Sequence, residues 1–231
     1  MGLRLPTGVL AVLQRSVMDP HKDVDLELLV RWREGDRNAG ETLLSKHFGG
    51  IRRYFRLKFP DAHEDLLQET FARIVANRDE FRAESSFKTY LFRIARYVGN
   101  EHIRKHYRHG GDFSPADSSL ADLTGRRQSS LLAEREDHRL LLDALQHLSL
   151  EQQEVVDLYY WEQLTAKQVA EAIEAPESTV RGRLRLAVRH LARLHRELGE
   201  QEHSRELSDG DIEQWLHALR RELDRAPTAS S

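Results

Sequence analysis

Apolar residues recur at spacings of three and four through most of the chain, the period of helices that bury one face. Leu26, Leu29 and Val30 form a first stripe that runs to Arg33, ahead of Gly35-Asp36, a helix stop followed by an N-cap residue. A second helix carries Leu43, Leu44, His47, Phe48, Ile51, Tyr54 and Phe55 inward and closes at Pro60-Asp61. A third begins near Glu64, with Leu66, Leu67, Thr70, Phe71, Ile74 and Val75 on one face, and a fourth spans roughly Phe87 to Arg108. No segment shows the sustained two-residue alternation of a half-buried strand. The pattern therefore predicts an all-α protein.

The pattern breaks from His109 to Ser130, where glycine, serine, aspartate and proline crowd together. So little apolar surface cannot repay the entropy of ordering, and the stretch reads as a flexible linker between two helical domains. Helical periodicity returns at Leu131 and continues to about Leu198. Ser208 then opens an amphipathic helix with Asp211 three residues on and Ile212, Trp215, Leu216, Leu219 and Leu223 on its apolar side. The predicted plan is an N-terminal extension over 1–24, helical domains over 25–108 and 131–198, a linker over 109–130 and a C-terminal extension over 199–231.

Composition narrows the class. Charged residues make up 32% of the 231 and aromatics 7%, so the cores must come from aliphatic stripes on charged helices. Without cysteine there are no disulfides or thiolate metal sites, which fits a reducing cytoplasm. No apolar run reaches membrane-spanning length. Pro6 and Arg15 interrupt the mildly apolar start, so a signal peptide is not expected, and Met18 is a second candidate start. The net charge of −3 conceals two basic blocks. Arg181 to Arg196 holds six arginines and no acid, and Arg93 to Arg108 holds four arginines, a lysine and only Glu101. Such blocks in a slightly acidic chain point to local polyanion contacts.

The first of these blocks belongs to a helix-turn-helix pattern. Thr165 caps a helix whose Val169, Ala170 and Ile173 face inward, and small Ala170 permits a close crossing. Glu174-Ala175-Pro176 forms the turn, since Pro176 can precede a helix but not continue one. The second helix packs Val180, Leu184, Ala187, Val188, Leu191 and Leu194 and turns its arginines the other way. A major groove walled by phosphates accepts such a face. Ser178, Thr179, Arg181, Gly182, Arg183, Arg185 and Arg189 are the candidate duplex-binding set, and Gly182 allows close backbone approach. An arginine-rich solvated face on a structural bundle is the bland alternative.

In the first domain Asp65, Gln68 and Glu69 share one side of a helix, which alone is no more than a charged helix start favoured by the macrodipole. The fourth helix mixes Tyr90 and Tyr97 with Lys88, Arg93, Arg96 and Arg104, a mixture suited to stacked, unpaired bases and their phosphates. Leu91 and Phe92 read as core, whereas Tyr90 and Tyr97 fit either role.

Both halves resemble one family, the bacterial sigma factors of the short extracytoplasmic-function type. Gly35-Asp36, Ala39 and Leu43, then Glu64 through Phe71, resemble its first conserved helical region. Phe81-Arg82 through Arg96 is similar to its promoter-melting region, and Leu148 through Val156 with Thr179 through Leu184 to its fourth region. The resemblance runs in the family's order from about Asp25 to Leu198. It implies that Asp65, Gln68 and Glu69 dock on core RNA polymerase, and that Lys88, Tyr90, Arg93, Arg96, Tyr97 and Arg104 melt and read the minus-ten element of promoter DNA. The arginine helix would read the minus-35 element. Catalysis would stay with the polymerase, with no cofactor, metal or catalytic residue here. An anti-sigma factor, or regulation through the C-terminal extension, is expected. Tyr90 stands where the family usually has Trp, Tyr97 replaces a common Asn and Ser149 a frequent Pro. Glu174 occupies a turn position usually held by Gly, and Leu186 one that is often Arg. Rival readings are a helix-turn-helix regulator acting without polymerase, a metal hydrolase built on His102, His106 and His109, and a pseudo-factor that only titrates a regulator.

Overall fold

The computed structural model describes residues 20–106, 119, 143–198 and 208–225. Compactness divides the chain into two units, before and after the bond joining Gly99 and Asn100. Among the described residues the elements are helices and none is a strand.

The first unit contains α1 (Pro20–Arg33), α2 (Arg37–Lys58), α3 (His63–Ala76) and most of α4 (Phe87–His106). Gly35, at φ +102°, supplies the left-handed turn between α1 and α2. Asp36 then caps α2, one carboxylate oxygen accepting from the Ala39 N–H at 3.1 Å and the other from Arg31. That bond from Arg31, with the backbone bond from Ala39, holds the Asp36 carboxyl below its ordinary range. Gly40 lets the Trp32 indole lie against α2, for a Cβ there would meet the ring at 2.5 Å. Asp25 is buried between Lys46 at 2.7 Å and His47 at 2.8 Å. Burial pushes its carboxyl up, but the hydrogen bonds from His47 and Lys46 outweigh burial and leave it lowered.

Leu29, Leu43, Ile51, Phe55, Ile74, Leu91 and Phe92 make the centre of this unit. Two members of the expected inward stripes are not in it. Phe48 and Val75 are 46% and 44% exposed, and half-buried Phe71 stacks on Phe48 with centroids 5.9 Å apart. Phe48 and Phe71 lie at the rim of their helices' apolar stripes, and Val75 lies nearer the back of its own. Arg33 spans the segment after α3, its guanidinium donating to the carbonyls of Arg78 and Phe81. Phe81 packs in turn on Phe87 and Tyr90. Ser86 caps α4 by accepting from the Thr89 N–H at 3.0 Å.

The second unit contains α5 (Leu150–Val156), which runs into a π-helical turn over Asp157–Trp161, then α6 (Ala166–Ile173), α7 (Glu177–Leu198) and α8 (Asp209–Arg225). Ser149 explains how the chain manages without a proline before α5. Its hydroxyl accepts from the Gln152 N–H while the Gln152 side chain accepts from the Ser149 N–H. Helix α7 is the spine on which α5, α6 and α8 pack. Val155, Val156, Leu158, Trp161, Val169, Val180, Ala187 and Leu191 fill the space between them.

The amphipathic C-terminal helix lies on this second unit, against α7 and the π turn. Its reciprocal cap forms as expected, with Ser208 and Asp211 satisfying each other's backbone N–H groups. Ile212, Trp215, Leu216 and Leu219 are buried, and the Trp161 indole N–H donates to the Leu216 carbonyl at 3.1 Å. Of the expected linker, only Ser119 is among the described residues. It is buried, and its backbone bridges to Ser149. Tyr107, Arg108, His109 and the segment 131–142 also lie outside them.

Candidate nucleic-acid interface

The helix-turn-helix forms where the sequence predicts it. Thr165 caps α6 in a reciprocal pair with Gln168, and Val169, Ala170 and Ile173 are buried. Glu174 ends α6 in the left-handed conformation, at φ 57° and ψ 45°. The next N–H, on Ala175, reaches back to the Ala170 carbonyl at 3.0 Å, closing the six-to-one bond of a Schellman turn. Because a side chain in this conformation is strained, Glu174→Gly is expected to stabilise the second unit by about 1 kcal/mol. A denaturation midpoint that stays put or falls would contradict it.

Helix α7 separates its two faces cleanly. Val180, Leu184, Ala187, Val188 and Leu191 are buried, and Leu194 is half-buried. Ser178, Arg181, Arg185 and Arg189 are exposed, and Thr179 is half-buried. Arg181 is 64% exposed and makes only a surface pair with Glu177, one turn back at 2.6 Å, which a phosphate or base edge can displace. A Cβ on Gly182 would meet nothing within 4 Å, so the backbone is open to approach on that side. Arg183 stands apart from the set. Its guanidinium turns to α5 and pairs with Glu151 at 2.6 Å, so it braces α5 against α7.

In the first unit, helical spacing aligns Tyr90, Arg93 and Tyr97 along one side of α4, with Arg104 further along the same helix. Tyr97 and Arg104 are exposed, whereas Arg93 and Arg96 are half-buried. Tyr90 is half-buried against Phe81, with ring centroids 4.8 Å apart. Burial, assisted by the Glu80 charge, raises its phenol above the ordinary value, so it stays a neutral donor. Lys88 lies on another side of the helix, with its ammonium 5.9 Å from the Phe92 ring centroid. It is not brought together with the tyrosines.

Asp65, Gln68 and Glu69 are all exposed on α3, with Glu69 paired to Arg73 one turn on. Ala62, at the N-cap position before α3, offers no side-chain cap. The exposed Phe48 and Val75, with half-buried Phe71, border this polar ridge, an apolar margin that a uniformly inward stripe does not predict. A helical wheel centred on Leu66, Thr70 and Ile74 puts Val75 near the back of α3, the one signal that could have revealed it. Among the described residues no three His, Cys, Asp or Glu side chains are placed to hold a metal ion, and no helix is long and apolar enough to cross a membrane.

An all-α protein of two compact units, one carrying a basic helix-turn-helix with a further helix packed on it, is the architecture of a DNA-recognition factor. Residues 44–109 match the family model for sigma-70 region 2 and residues 138–191 the model for sigma-70 region 4, together just over half of the chain. The chain is 28% identical over 174 residues to the ECF RNA polymerase sigma-E factor of Haemophilus influenzae, covering 69% of this chain and 89% of that one. It is 26% identical over 174 residues to the RNA polymerase sigma-H factor of Pseudomonas aeruginosa, covering 71% and 89%. Its fold is shared with the sigma factor RpoE of Bartonella quintana, solved with the anti-sigma factor NepR, at a TM-score of 0.52 and 24% identity over 71% of this chain and 98% of that one. The chain belongs to the sigma-70 family of RNA polymerase sigma factors, in its extracytoplasmic-function branch.

Proposed function

We propose that this sigma factor works in the cytoplasm by seating its first unit on core RNA polymerase through Asp65, Gln68 and Glu69, and by holding promoter DNA with α4 and α7. The observation that carries the reading is the outward face of α7. Arg181, Arg185 and Arg189 stand exposed on a helix whose other side is fixed by a capped helix-turn-helix. Cations so mounted neutralise phosphates and reach base edges. Tyr90, Arg93, Arg96, Tyr97 and Arg104 supply the rings and charges for the melted strand near the start site. Nucleotide addition is left to the polymerase. The domains act as read from the sequence, with 25–108 as the polymerase and minus-ten unit, 131–198 as the minus-35 unit and 109–130 as their tether. An anti-sigma factor that covers one of these surfaces is the natural regulator, as NepR is for its partner.

Purified full-length chain mixed with core polymerase should co-elute as one complex. Asp65→Ala combined with Glu69→Ala should weaken that complex about thirtyfold, the scale of an interface hot spot, without moving the unfolding midpoint. Good DNA binding with no polymerase complex would instead identify a helix-turn-helix regulator that works alone.

A further inference from the structure

Leu186 is an exposed large apolar side chain on α7, with 56% of its surface in solvent. Single exposed leucines are ordinary on protein surfaces, so exposure alone decides nothing. Its position does. Leu186 lies opposite the buried stripe of Val180, Leu184, Ala187, Val188 and Leu191. It stands one turn beyond Gly182, where a Cβ would meet nothing within 4 Å, and one turn before Arg189. Helical spacing puts Gly182, Leu186, Arg189 and Arg193 on one line down the outward face, with Arg185 beside it. An isobutyl group therefore occupies the middle of a face that is otherwise cationic, at the height where the open backbone of Gly182 lets the helix sink inward.

The major groove of B-DNA offers one apolar group at its base edges, the C5-methyl of thymine. Phosphates bind the flanking arginines but give a leucine nothing to contact. We infer that Leu186 is a specificity-determining residue, packing on a thymine methyl of the upstream promoter element. The inference rests on the reading of α7 as the duplex-facing helix. Arg189 holds the helix to the phosphate backbone, Gly182 sets its depth, and Leu186 discriminates a methylated pyrimidine edge from a bare one.

The test uses holoenzyme assembled from the full chain and core polymerase. Duplexes selected by it from a randomised pool are remade with uracil in place of each thymine, one at a time, which removes only the methyl. One upstream thymine should be found whose replacement weakens wild-type binding about fourfold, the worth of one buried methyl group. Leu186→Ala should be insensitive to that replacement, and Leu186→Met, which keeps the apolar bulk, should retain the sensitivity. Melting temperature and core binding should match the wild type in both variants. If no uracil replacement in the upstream element affects the wild type, or if Leu186→Ala loses as much as the wild type does, the contact is refuted while α7 remains the reading helix. A pool that enriches no upstream element overturns the placement of α7 and the Leu186 contact with it.

Discussion

Truncating the chain after Leu198 should lower the melting temperature of the C-terminal unit by about 10 °C or more, corresponding to roughly 2–3 kcal/mol in a unit of this size. The deletion removes α8, whose Ile212, Trp215, Leu216 and Leu219 are buried against α7 and the π turn. Each such side chain contributes roughly 1.5–3 kcal/mol when taken fully out of water, offset in part by the entropy of ordering the helix. The cut also takes away the Leu216 carbonyl that receives the Trp161 N–H, and His217, whose ring packs edge-on to Tyr160 at 5.1 Å. Burial and the Glu213 carboxylate push the Tyr160 phenol up, so the hydroxyl stays protonated beneath α8 at any physiological pH. Trp161 emission should move to the red when α8 is lost. Trp215→Ala in the full chain should produce a smaller shift in the same direction. A truncated chain with the melting curve and the activity of the intact one would contradict both the packing role and any control of polymerase access by this helix.

Arg181→Ala and Arg185→Ala should each weaken recognition of the upstream element by about 1–3 kcal/mol if the side chain makes a paired base contact, with core polymerase binding intact. Both side chains are exposed, so the unfolding midpoint should hardly move. Arg183→Ala should behave in the opposite way. It breaks the pair with Glu151, so the second unit loses stability while base preference is kept. If the face neutralises about four phosphates, log affinity against log salt should have a slope near −3.6 in the wild type. Removing Arg189 should flatten it by about one phosphate's share. An unchanged footprint for Arg181→Ala, or a flat salt response, would count against α7 as the DNA-facing helix.

Much of this was legible in the chain because caps and turns are local. Gly35-Asp36, the Thr165 cap and Ser208 with Asp211 all act through neighbours within four residues, and each forms as its sequence predicts. Long-range partners were not legible. Periodicity fixes which residues share a face but not which neighbour covers its edge, so Phe48 and Val75 read as core and stand exposed. Arg183 looked like one more arginine of the groove face, because its partner Glu151 lies on another helix far back in the chain. Nothing in Asp157-Leu158-Tyr159-Tyr160-Trp161 marks a π turn in advance. In the structure α8 packs against it. The surface for α8 likewise became assignable from the Trp161 bond to Leu216, a contact between residues 55 apart.

Transcription in vitro asks most directly whether the chain gives a polymerase its promoters. Core enzyme alone and core enzyme with the full-length protein would be presented with a genomic fragment library, and transcript starts mapped. Addition of the protein should produce starts that share two sequence elements at a fixed separation, lost when Arg181 and Arg185 are both replaced by alanine. Starts no different from those of core enzyme alone would contradict the account.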